Sequence, residues 1–474
     1  MKLNSSTLAQ LPSDKGVAKP TYDRSQISVG IVHFGVGGFH RAHQAMYIDA
    51  LLEDGKALDW GICGVGVMPA DQRMKDALDA QDGLYTLILE NPDGTRDVRV
   101  IGSIVEYRYA PDDPETVIEL LAAPSTRIVS MTITEGGYQI ENAGEMSVFG
   151  LVTEALSRRR DRGIASPTIV SCDNIEGNGD IAREAFTGYA DRAHPGLSDW
   201  MAEHTTFPNS MVDRITPVTT PEVIDGLAEQ FGIEDRWPVV AEPFTSWALE
   251  DQFADGRPPY EDVGVLMVDD VTPYELMKLR LLNASHQGLC YFAYLAGYRL
   301  VHDAASDPLF AEFLLAYMDS EATGTLKPVP GIDLPNYKRT LIERFGNPGV
   351  RDTIARLCAD SSDRIPKWLL PVIRANLASG APIRLSAAIV ASWARYAEGV
   401  DENGDPIDVV DQLADSLVPI AKSQKDNPLA FVENRSLFGD LADEPRFVEA
   451  YRWALDSLHA DGARATLEVL RKEH

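Results

Sequence analysis

"SVGIVHFGVGGFHRAHQ" occupies residues 28–44 and decides the fold of the first half of the chain. Residues 28–34 form a short apolar run typical of a buried parallel strand, and glycines follow it at once. Gly35 and Gly37 fit the first two positions of the dinucleotide-binding pattern G-x-G-x-x-G, whereas the third position holds His40. That third glycine serves helix–strand packing, so its replacement weakens the match without removing the anion site.

Two functional interpretations of this loop stay open on the residues alone. In the first, the backbone at Gly37 and Gly38 approaches a pyrophosphate, and Arg41 pairs with a phosphate oxygen. In the second, His40 and His43 share a helix face and hold a metal ion, although a third ligand is not evident. Histidines that only pack or cap the start of the helix are a simpler alternative than the metal. The spacing favours dinucleotide binding.

β-like runs and helical patterns alternate through the first half of the chain. This alternation predicts an α/β fold with a doubly wound, Rossmann-type sheet. The expected strands are 28–34, 60–67, 85–90, 97–103, 127–134, 167–172, 238–242 and 264–270. Beyond about residue 272 the chain reads as helices separated by Gly or Pro, beginning with one helix over 273–298. We expect a dinucleotide-binding domain over 1–270 and a mainly helical substrate and catalytic domain over 271–474.

Composition and charge exclude several classes of partner. The chain has 474 residues, 45% hydrophobic residues and a formal net charge of −29, which disfavours nucleic acid and anionic membranes. Its four cysteines show no C-x-x-C spacing, so neither structural zinc nor a disulfide framework is expected. No apolar stretch reaches the roughly 18 residues of a membrane span, and the N-terminus carries no signal-peptide pattern. We expect a cytoplasmic monomer, with a weak homo-oligomer as the alternative.

An acidic residue after the second strand bears on the choice of dinucleotide. Asp71 follows the run that ends near Val67, where an acid binds the ribose hydroxyls of NAD. A carboxylate there repels the 2′-phosphate of NADP, and no arginine directly follows the strand. The sequence therefore favours NAD. A helix-capping aspartate is an equally good interpretation of Asp71 by itself.

A second cluster of polar residues begins the helical half. Lys278, Asn283 and His286 lie at i, i+5 and i+8, and on an α-helical wheel all three fall within one broad sector. Lys278 is surrounded by leucine and methionine, and burial would lower its pKa toward the value a general base requires. A surface lysine, a capping asparagine and a core histidine explain the same spacing, and on spacing alone they are favoured.

Motifs along nearly the whole chain resemble those of the polyol-specific long-chain dehydrogenases, the mannitol dehydrogenase family. No single motif decides the resemblance, which rests on their number and order. The motifs are "GVGGFHRAHQ", "TITEGGY", "SCDN", "MVDRITP", "EPFTSWALED", "DDVTPYELMKLRLLNASH", "PGIDLPNYK" and "GVDENG".

The resemblance implies catalytic roles for four residues. Lys278 matches the general base that takes a proton from the C2 hydroxyl during polyol oxidation and returns it in ketose reduction. Asn174 and Asn283 match the asparagines that donate hydrogen bonds to the reacting oxygen. Glu275 matches a glutamate that passes the proton to solvent, although a helix-start acid is an equal alternative.

The same resemblance implies binding roles. His286 and Asp213 match residues that orient the substrate, and Arg356 and Arg364 fall where the family contacts the distal substrate hydroxyls. A lysine stands at the second of these positions in a relative, so Arg364 puts the selectivity of that end in doubt. The residues implied to contact NAD are Gly35, Gly37, Gly38, Phe39, Arg41, Asp71, Thr132, Glu135 and Val212. Glu135 is also expected near the proton route, and no metal is expected.

The expected function is a zinc-independent, NAD-dependent oxidation of a polyol at C2, interconverting D-mannitol and D-fructose, with D-arabinitol and sorbitol as further substrates. The nearest alternative is a reductase of keto-sugar acids such as fructuronate, whose carboxylate Arg356 or Arg364 would bind. A metal-dependent hydrolase and a non-catalytic nucleotide-binding module are remote alternatives.

Overall fold

The computed structural model describes residues 1–12 and 15–473. Residues 13, 14 and 474, which the expected domains include, lie outside the described residues. The chain divides into two compact units, Met1–Thr272 and the segment from Pro273 onward.

The first unit holds the strands that the structure describes. In chain order they are β1 Val29–Phe34, β2 Gly61–Gly66, β3 Tyr85–Glu90, β4 Arg96–Ile101, β5 Ile104–Tyr109, β6 Ile128–Met131, β7 Thr168–Ser171, β8 Ser210–Asp213, β9 Val239–Ala241, β10 Ser246–Glu250 and β11 Leu266–Val268. Its α-helices are α1 Gly38–Ala42, α2 Gln44–Glu53, α3 Gln72–Asp79, α4 Pro114–Ala122, α5 Val148–Arg162, α6 Asn178–Ala193, α7 Leu197–His204 and α8 Pro221–Phe231. Its 3₁₀ turns are Leu8–Gln10, Arg24–Gln26, Pro69–Asp71, Glu135–Tyr138 and Tyr260–Val263.

A five-stranded parallel sheet forms the centre of the first unit, in the order β5-β2-β1-β6-β7. The chain starts in the middle at β1, passes to β2 and β5 on one side, and then returns to β6 and β7 on the other. Ile31 of β1 belongs to the apolar cluster on one face, and Val32 and Phe34 belong to the cluster on the opposite face. Both faces are therefore buried, and the prediction of a doubly wound, Rossmann-type sheet is confirmed.

Two smaller sheets depart from the sequence expectation. The runs 85–90 and 97–103 do not join the central sheet but pair with each other as the antiparallel hairpin β3–β4, in a sheet of order β4-β3-β9. The third sheet has the order β11-β10-β8. Strands β5, β8 and β10 were not expected, because each contains charged or polar residues that interrupt its apolar pattern.

Local signals fix the ends of several helices in the first unit. Asp113 caps α4 by accepting a hydrogen bond from the backbone N–H of Thr116 at 3.2 Å, and proline occupies the first helical position. Ser147 caps α5 by accepting from the N–H of Gly150 at 3.1 Å. Gly163 ends α5 in the left-handed conformation, with φ of +66°.

Helices make up the second unit, and an α-helical core lies at its centre. Its α-helices are α9 Thr272–Met277, α10 Ala284–Leu295, α11 Val301–Ala305, α12 Pro308–Tyr317, α13 Leu334–Phe345, α14 Ile354–Cys358, α15 Ser361–Trp368, α16 Leu370–Ser379, α17 Arg384–Tyr396, α18 Ala414–Lys422, α19 Arg435–Phe438, α20 Pro445–Ala460 and α21 Gly462–Lys472. Its 3₁₀ turns are Thr323–Thr325, Ser423–Lys425 and Leu441–Asp443. Helices α10 and α17 are almost wholly buried and pack against each other.

Two π-helical turns interrupt the helices of the second unit. Lys278–Asn283 separates α9 from α10, and Met318–Ala322 follows α12; the two turns pack against each other. The single helix expected over 273–298 is therefore divided. A π turn hydrogen-bonds residue i to residue i+5, and no local residue pattern announces it.

Candidate active site

The loop after β1 depends on a glycine at position 35. Gly35 has φ of +85°, and a Cβ atom there would lie 2.1 Å from the carbonyl oxygen of Thr132. The Thr132 hydroxyl donates a hydrogen bond to the Gly35 carbonyl oxygen at 2.7 Å. This contact joins the ends of β1 and β6, where the strand order reverses. Ligands of doubly wound sheets bind at such a switch point.

Space remains on the outer side of this loop. A Cβ at Gly37 would meet nothing closer than the Gly35 carbonyl oxygen at 3.8 Å, and one at Gly38 would make ordinary contacts from 3.4 Å. Gly37 is the N-cap of α1, a short helix of five residues that ends at Ala42. Phe39, its second residue, is half-buried. The backbone at Gly37 is therefore open to close approach by a ligand.

Two buried arginines hold the loop from inside the protein. Arg41 is 1% exposed; its Nε donates to the Gly37 carbonyl oxygen at 3.3 Å and its Nη1 donates to the Trp237 carbonyl oxygen. Arg214 donates from Nη1 to the Ala42 carbonyl oxygen at 2.6 Å. We expected a phosphate partner for Arg41, but in this structure its guanidinium contacts protein carbonyl groups.

The three histidines of the opening segment are buried and engaged with protein groups. The rings of His33 and His40 stack with centroids 3.4 Å apart. His33 Nδ1 lies 2.8 Å from the Ser130 hydroxyl oxygen, and His43 Nε2 lies 2.9 Å from the Ser246 carbonyl oxygen. Burial lowers the pKa of His33 to about 3. This environment suits neutral imidazoles that shape the start of the helix.

Asp71 lies beyond the end of β2, at the edge of the sheet where the β1 loop emerges. Its Oδ2 accepts hydrogen bonds from the backbone N–H groups of Val67 and Met68, at 2.9 and 2.8 Å. The helix-capping interpretation of Asp71 therefore accounts for the contacts of Oδ2. The carboxylate remains half-buried at the carboxyl edge of β2, next to β1 in the sheet.

The segment after β6 is held by a carboxylate that the sequence analysis missed. Asp173 accepts hydrogen bonds from the N–H groups of Ile133 at 3.1 Å and Thr134 at 2.7 Å. Thr134 has φ of +64°, a strained conformation for a residue with a Cβ, and the exposed Glu135 follows it. Asp173 also precedes the exposed Asn174, so one carboxylate fixes the segments carrying two candidate residues. Its place directly after a buried strand was the available signal.

Val212 and Asp213 lie at the end of β8, in the third sheet. Both are buried, and Asp213 stands opposite Ser246 in the antiparallel pairing with β10. Next to them, Arg214 donates from Nε to the Glu242 carbonyl oxygen at 2.9 Å. The pairing holds the backbone of Asp213 rigidly at the strand end.

In the second unit, the π turn brings candidate residues onto one side of a helix. Lys278 and Asn283 are its first and last residues, five positions apart, so the i to i+5 repeat places one above the other. On a plain α-helix the two would diverge by 140°. Glu275 precedes Lys278 by three residues and His286 follows Asn283 by three, which extends the same side in both directions.

These four side chains are sheltered from solvent. Glu275, Lys278 and Asn283 are 7%, 8% and 5% exposed, and His286 is half-buried with its ring centroid 4.3 Å from that of Phe345. A buried lysine beside an amide and a glutamate supplies a base, a hydrogen-bond donor and a proton acceptor together. The arrangement is suited to moving a proton to and from a hydroxyl group.

Arg356 and Arg364 are adjacent in this unit but differ in their contacts. Arg356 is exposed and forms a bidentate salt bridge with the Asp352 carboxylate. Its Nε donates to Oδ1 at 2.6 Å and its Nη2 donates to Oδ2. Arg364 is half-buried, and its Nη1 donates to the carbonyl oxygens of Arg356 and Leu357 at 3.2 and 3.1 Å. Arg364 thus fixes the short helix that carries Arg356.

Comparison with known proteins gives the family. The Rossmann domain model of mannitol dehydrogenase matches residues 29–262, and the C-terminal domain model of mannitol dehydrogenase matches residues 270–459. Mannitol 2-dehydrogenase of Phaeosphaeria nodorum is 44% identical to the chain over 490 aligned residues, which cover 98% of this chain and 85% of that protein. The chain belongs to the mannitol dehydrogenase family.

Two solved structures resemble this family member over nearly its whole length. Pseudomonas fluorescens mannitol 2-dehydrogenase, solved as a ternary complex with NAD and D-mannitol, is 43% identical, with a TM-score of 0.85 and full coverage of both chains. A substrate-free D-sorbitol dehydrogenase is 38% identical, with a TM-score of 0.93, covering 98% of this chain and 100% of that one. The family membership inferred from the motifs and the fold class inferred from the alternating strands and helices are confirmed, and the individual site roles stay predictions.

Two further properties of this mannitol dehydrogenase family member concern ions and membranes. Across residues 1–12 and 15–473, no three His, Cys, Asp or Glu side chains are grouped so that they could hold a metal ion. The four cysteines are buried thiols. Among the described helices, none has the length and apolar character required to cross a bilayer.

Proposed function

We propose that the chain is an NAD-dependent, zinc-independent polyol 2-dehydrogenase that interconverts D-mannitol and D-fructose. The observation that carries this proposal is the buried Lys278 together with the buried Asn283, at the two ends of one π turn. Relatives named mannitol 2-dehydrogenase, similar over nearly the full chain, support the substrate assignment. D-arabinitol and sorbitol are proposed as further substrates.

The β1 loop fits a dinucleotide. Gly35 leaves no room for a side chain on its inner side, whereas the backbone at Gly37 is open to a pyrophosphate. We assign Asp71 to the adenosine ribose, with Oδ1 meeting a hydroxyl while Oδ2 keeps its two backbone bonds. A carboxylate there repels a 2′-phosphate, which supports NAD over NADP. The proposed contacts to NAD also include those of Gly38 in the loop and of Phe39, Thr132, Glu135 and Val212. Arg41 supports the loop from inside the protein.

The chemistry of the proposal requires a base for the substrate hydroxyl. NAD, when bound, supplies the acceptor for the hydride that leaves C2. The side-chain amine of Lys278 takes the proton of the C2 hydroxyl during oxidation and returns it during reduction. Glu275, one helical turn before Lys278, passes that proton onward to solvent.

Hydrogen-bond donors stabilise the charge that develops on the reacting oxygen. We assign this task to the side-chain amides of Asn283 and Asn174. A preorganised donor of this kind lowers the barrier by roughly 3 kcal/mol. His286 and Asp213 orient the substrate through its hydroxyl groups, and these assignments follow the family resemblance residue by residue.

The contacts of the two arginines bear on the alternative substrate. A keto-sugar acid such as fructuronate needs a cation to bind its carboxylate. Arg356, however, already forms a bidentate salt bridge with Asp352, and Arg364 donates hydrogen bonds to two backbone carbonyl groups. Asp352 already neutralises the charge of Arg356, which weakens its attraction for a second carboxylate. Neutral hydroxyls can share these groups without needing that charge, so the polyol is favoured at this end.

Steady-state kinetics of a Lys278→Ala variant test the proposal. We expect NADH formation from D-mannitol to be abolished at neutral pH, partial rescue by added primary amines, and retained NADH binding. Lys338→Ala is the matched control, because Lys338 is equally buried in the same unit but pairs with Asp319. It should keep turnover per folded molecule. Near-normal turnover of Lys278→Ala would refute the role of this lysine.

A substrate panel separates the two candidate reactions. D-mannitol, D-arabinitol and sorbitol are tested for NADH formation, and fructose and fructuronate for NADH consumption. Fructuronate preferred over fructose would overturn the polyol assignment. Undiminished activity in EDTA is expected, and loss of activity that zinc restores would overturn the zinc-independent mechanism.

We also propose that the protein works as a cytoplasmic monomer that binds neither nucleic acid nor membranes. The formal net charge of −29 supports this, because it opposes phosphate-rich surfaces. Sedimentation of the purified chain tests the oligomeric state, and a concentration-independent dimer would contradict a monomer.

A further inference from the structure

A small cavity lies inside the first unit, behind the α1–α2 segment that follows the β1 loop. Its volume is about 10 Å³, which is roughly the room that one water molecule needs. Ile31, Ile48 and Leu249 contribute apolar walls, but His40, Gln44 and Trp247 also line it. The cavity is therefore mainly apolar with a few polar groups on its wall, and none of its residues has a role in the proposed reaction.

Hydrogen bonding around His43 fixes the orientation of Gln44. His43 Nε2 lies 2.9 Å from the Ser246 carbonyl oxygen, which can only accept, so Nε2 carries the proton. Nδ1 of the same ring is then an acceptor, and Gln44 Nε2 donates to it at 2.8 Å. The amide oxygen Oε1 of Gln44 must point the other way, and it has no hydrogen-bond partner among the described residues.

Two more buried polar groups on the cavity wall lack a well-placed protein partner. The indole Nε1–H of Trp247 has no hydrogen-bond partner within the described part of the chain, and the ring nitrogens of His40 have none of good geometry there, although the His40 side chain interacts with that of Gln44. Trp247 is 2% exposed and His40 is fully buried. Leaving such groups unsatisfied is unfavourable, because they lose the hydrogen bonds that water gives them in the unfolded chain. Buried polar groups in native proteins are almost always satisfied, by protein or by water.

We propose that this cavity binds one internal water molecule that joins α1, α2 and β10. The water accepts from Trp247 Nε1–H, donates one hydrogen to Gln44 Oε1 and donates the other to the unprotonated nitrogen of His40. These three bonds are the usual number for a buried water. Burial lowers the pKa of His40 well below its ordinary value and keeps the ring neutral. A neutral ring has one nitrogen that can accept a hydrogen bond from an uncharged water molecule.

A cation does not fit the same walls. The Trp247 N–H is a donor that would face a cation, and the described residues include no group of three metal-ligating side chains. An apolar occupant would leave three polar groups unsatisfied. Water is the ligand whose two donors and lone pairs match this set.

A high-resolution crystal structure of the full chain tests the proposal directly. We expect a single density peak within hydrogen-bond distance of both Gln44 Oε1 and Trp247 Nε1, with the bond lengths of water. The proposal is overturned by an absent peak, by a side-chain rotation that pairs these groups directly, or by a peak with metal coordination distances.

Urea denaturation of variants gives a second, independent test. Gln44→Met and Trp247→Phe each remove one bond to the water, which couples the two substitutions. Both side chains also contact His43, and Trp247→Phe keeps an aromatic ring against that histidine while removing the indole N–H. The shift of the urea midpoint in the double variant should be smaller than the sum of the single shifts. Gln44→Met combined with Ile88→Val is the control, since the buried Ile88 belongs to a different apolar cluster and does not line the cavity, and the shifts of this pair should add. Equal additivity in both pairs would overturn the proposal.

Discussion

The buried ring of His33 makes the stability of the first unit depend on pH. Burial lowers the pKa of His33 from 6.5 to about 3 in the folded protein. Below pH 6.5 the unfolded chain binds a proton at this residue that the folded chain does not accept until the pH approaches 3. The free energy of unfolding therefore falls as the pH falls through this window, and the contribution is fully present above pH 6.5. Between pH 7 and pH 5 the loss from His33 is about 2 kcal/mol.

Urea denaturation followed by circular dichroism at pH 7 and pH 5 measures this loss. The unmodified protein should lose about 2 kcal/mol more on acidification than His33→Gln, whose amide does not titrate. Buried carboxyls such as Asp49 and Asp235, whose pKa values burial raises, contribute with the opposite sign but equally in both proteins. The exposed His204 at the end of α7 supplies the control, His204→Gln, which should behave like the unmodified protein. An identical pH dependence in His33→Gln would refute the reasoning.

Three further predictions concern the loop, the π turn and the cofactor preference. Gly35→Ala should lower the free energy of unfolding by about 2 kcal/mol or more, because a left-handed alanine is strained and its Cβ would meet the Thr132 carbonyl oxygen. Gly37→Ala is the control and should fold normally. Thermal unfolding of the two variants measures the difference. Deleting Leu279 should turn the π segment into an α-helix and lower kcat at least about 100-fold through misplacement of Lys278 and Asn283. Unchanged kcat in a folded deletion variant would contradict the role of the turn. Asp71→Ala should raise the KM for NAD and narrow the NAD/NADP preference, and an unchanged ratio would leave Asp71 as a cap alone.

Four of the five strands of the central sheet could be predicted from the sequence because they carry their own signal, whereas β5 could not. The runs at β1, β2, β6 and β7 are buried on both faces, so they read as continuous apolar segments. The partners of the other strands depend on contacts between distant residues. Nothing local in 85–90 shows that β3 pairs with β4 and β9 in a separate sheet.

Site residues divide in a similar way. The motifs identified the candidate residues but not the residues that fix their positions. Asp173, which accepts a hydrogen bond from the Thr134 N–H, and Arg214, which donates to the Ala42 carbonyl oxygen, are examples. These contacts join segments 39 and 172 residues apart, which no local pattern encodes. The Asp352–Arg356 pair is different, because its i, i+4 spacing was visible in the sequence.

The π turn between α9 and α10 also affects how sequences of this kind should be compared. Such a turn is typically a local bulge within an α-helix, held by one wider hydrogen-bonded ring. A relative whose segment is plain α-helix would therefore be one residue shorter between the equivalents of Lys278 and Asn283. The correct alignment then has its gap inside a helix. An alignment that moves this gap into the neighbouring loop would pair Asn283 with the wrong residue and hide an amide that performs the same task.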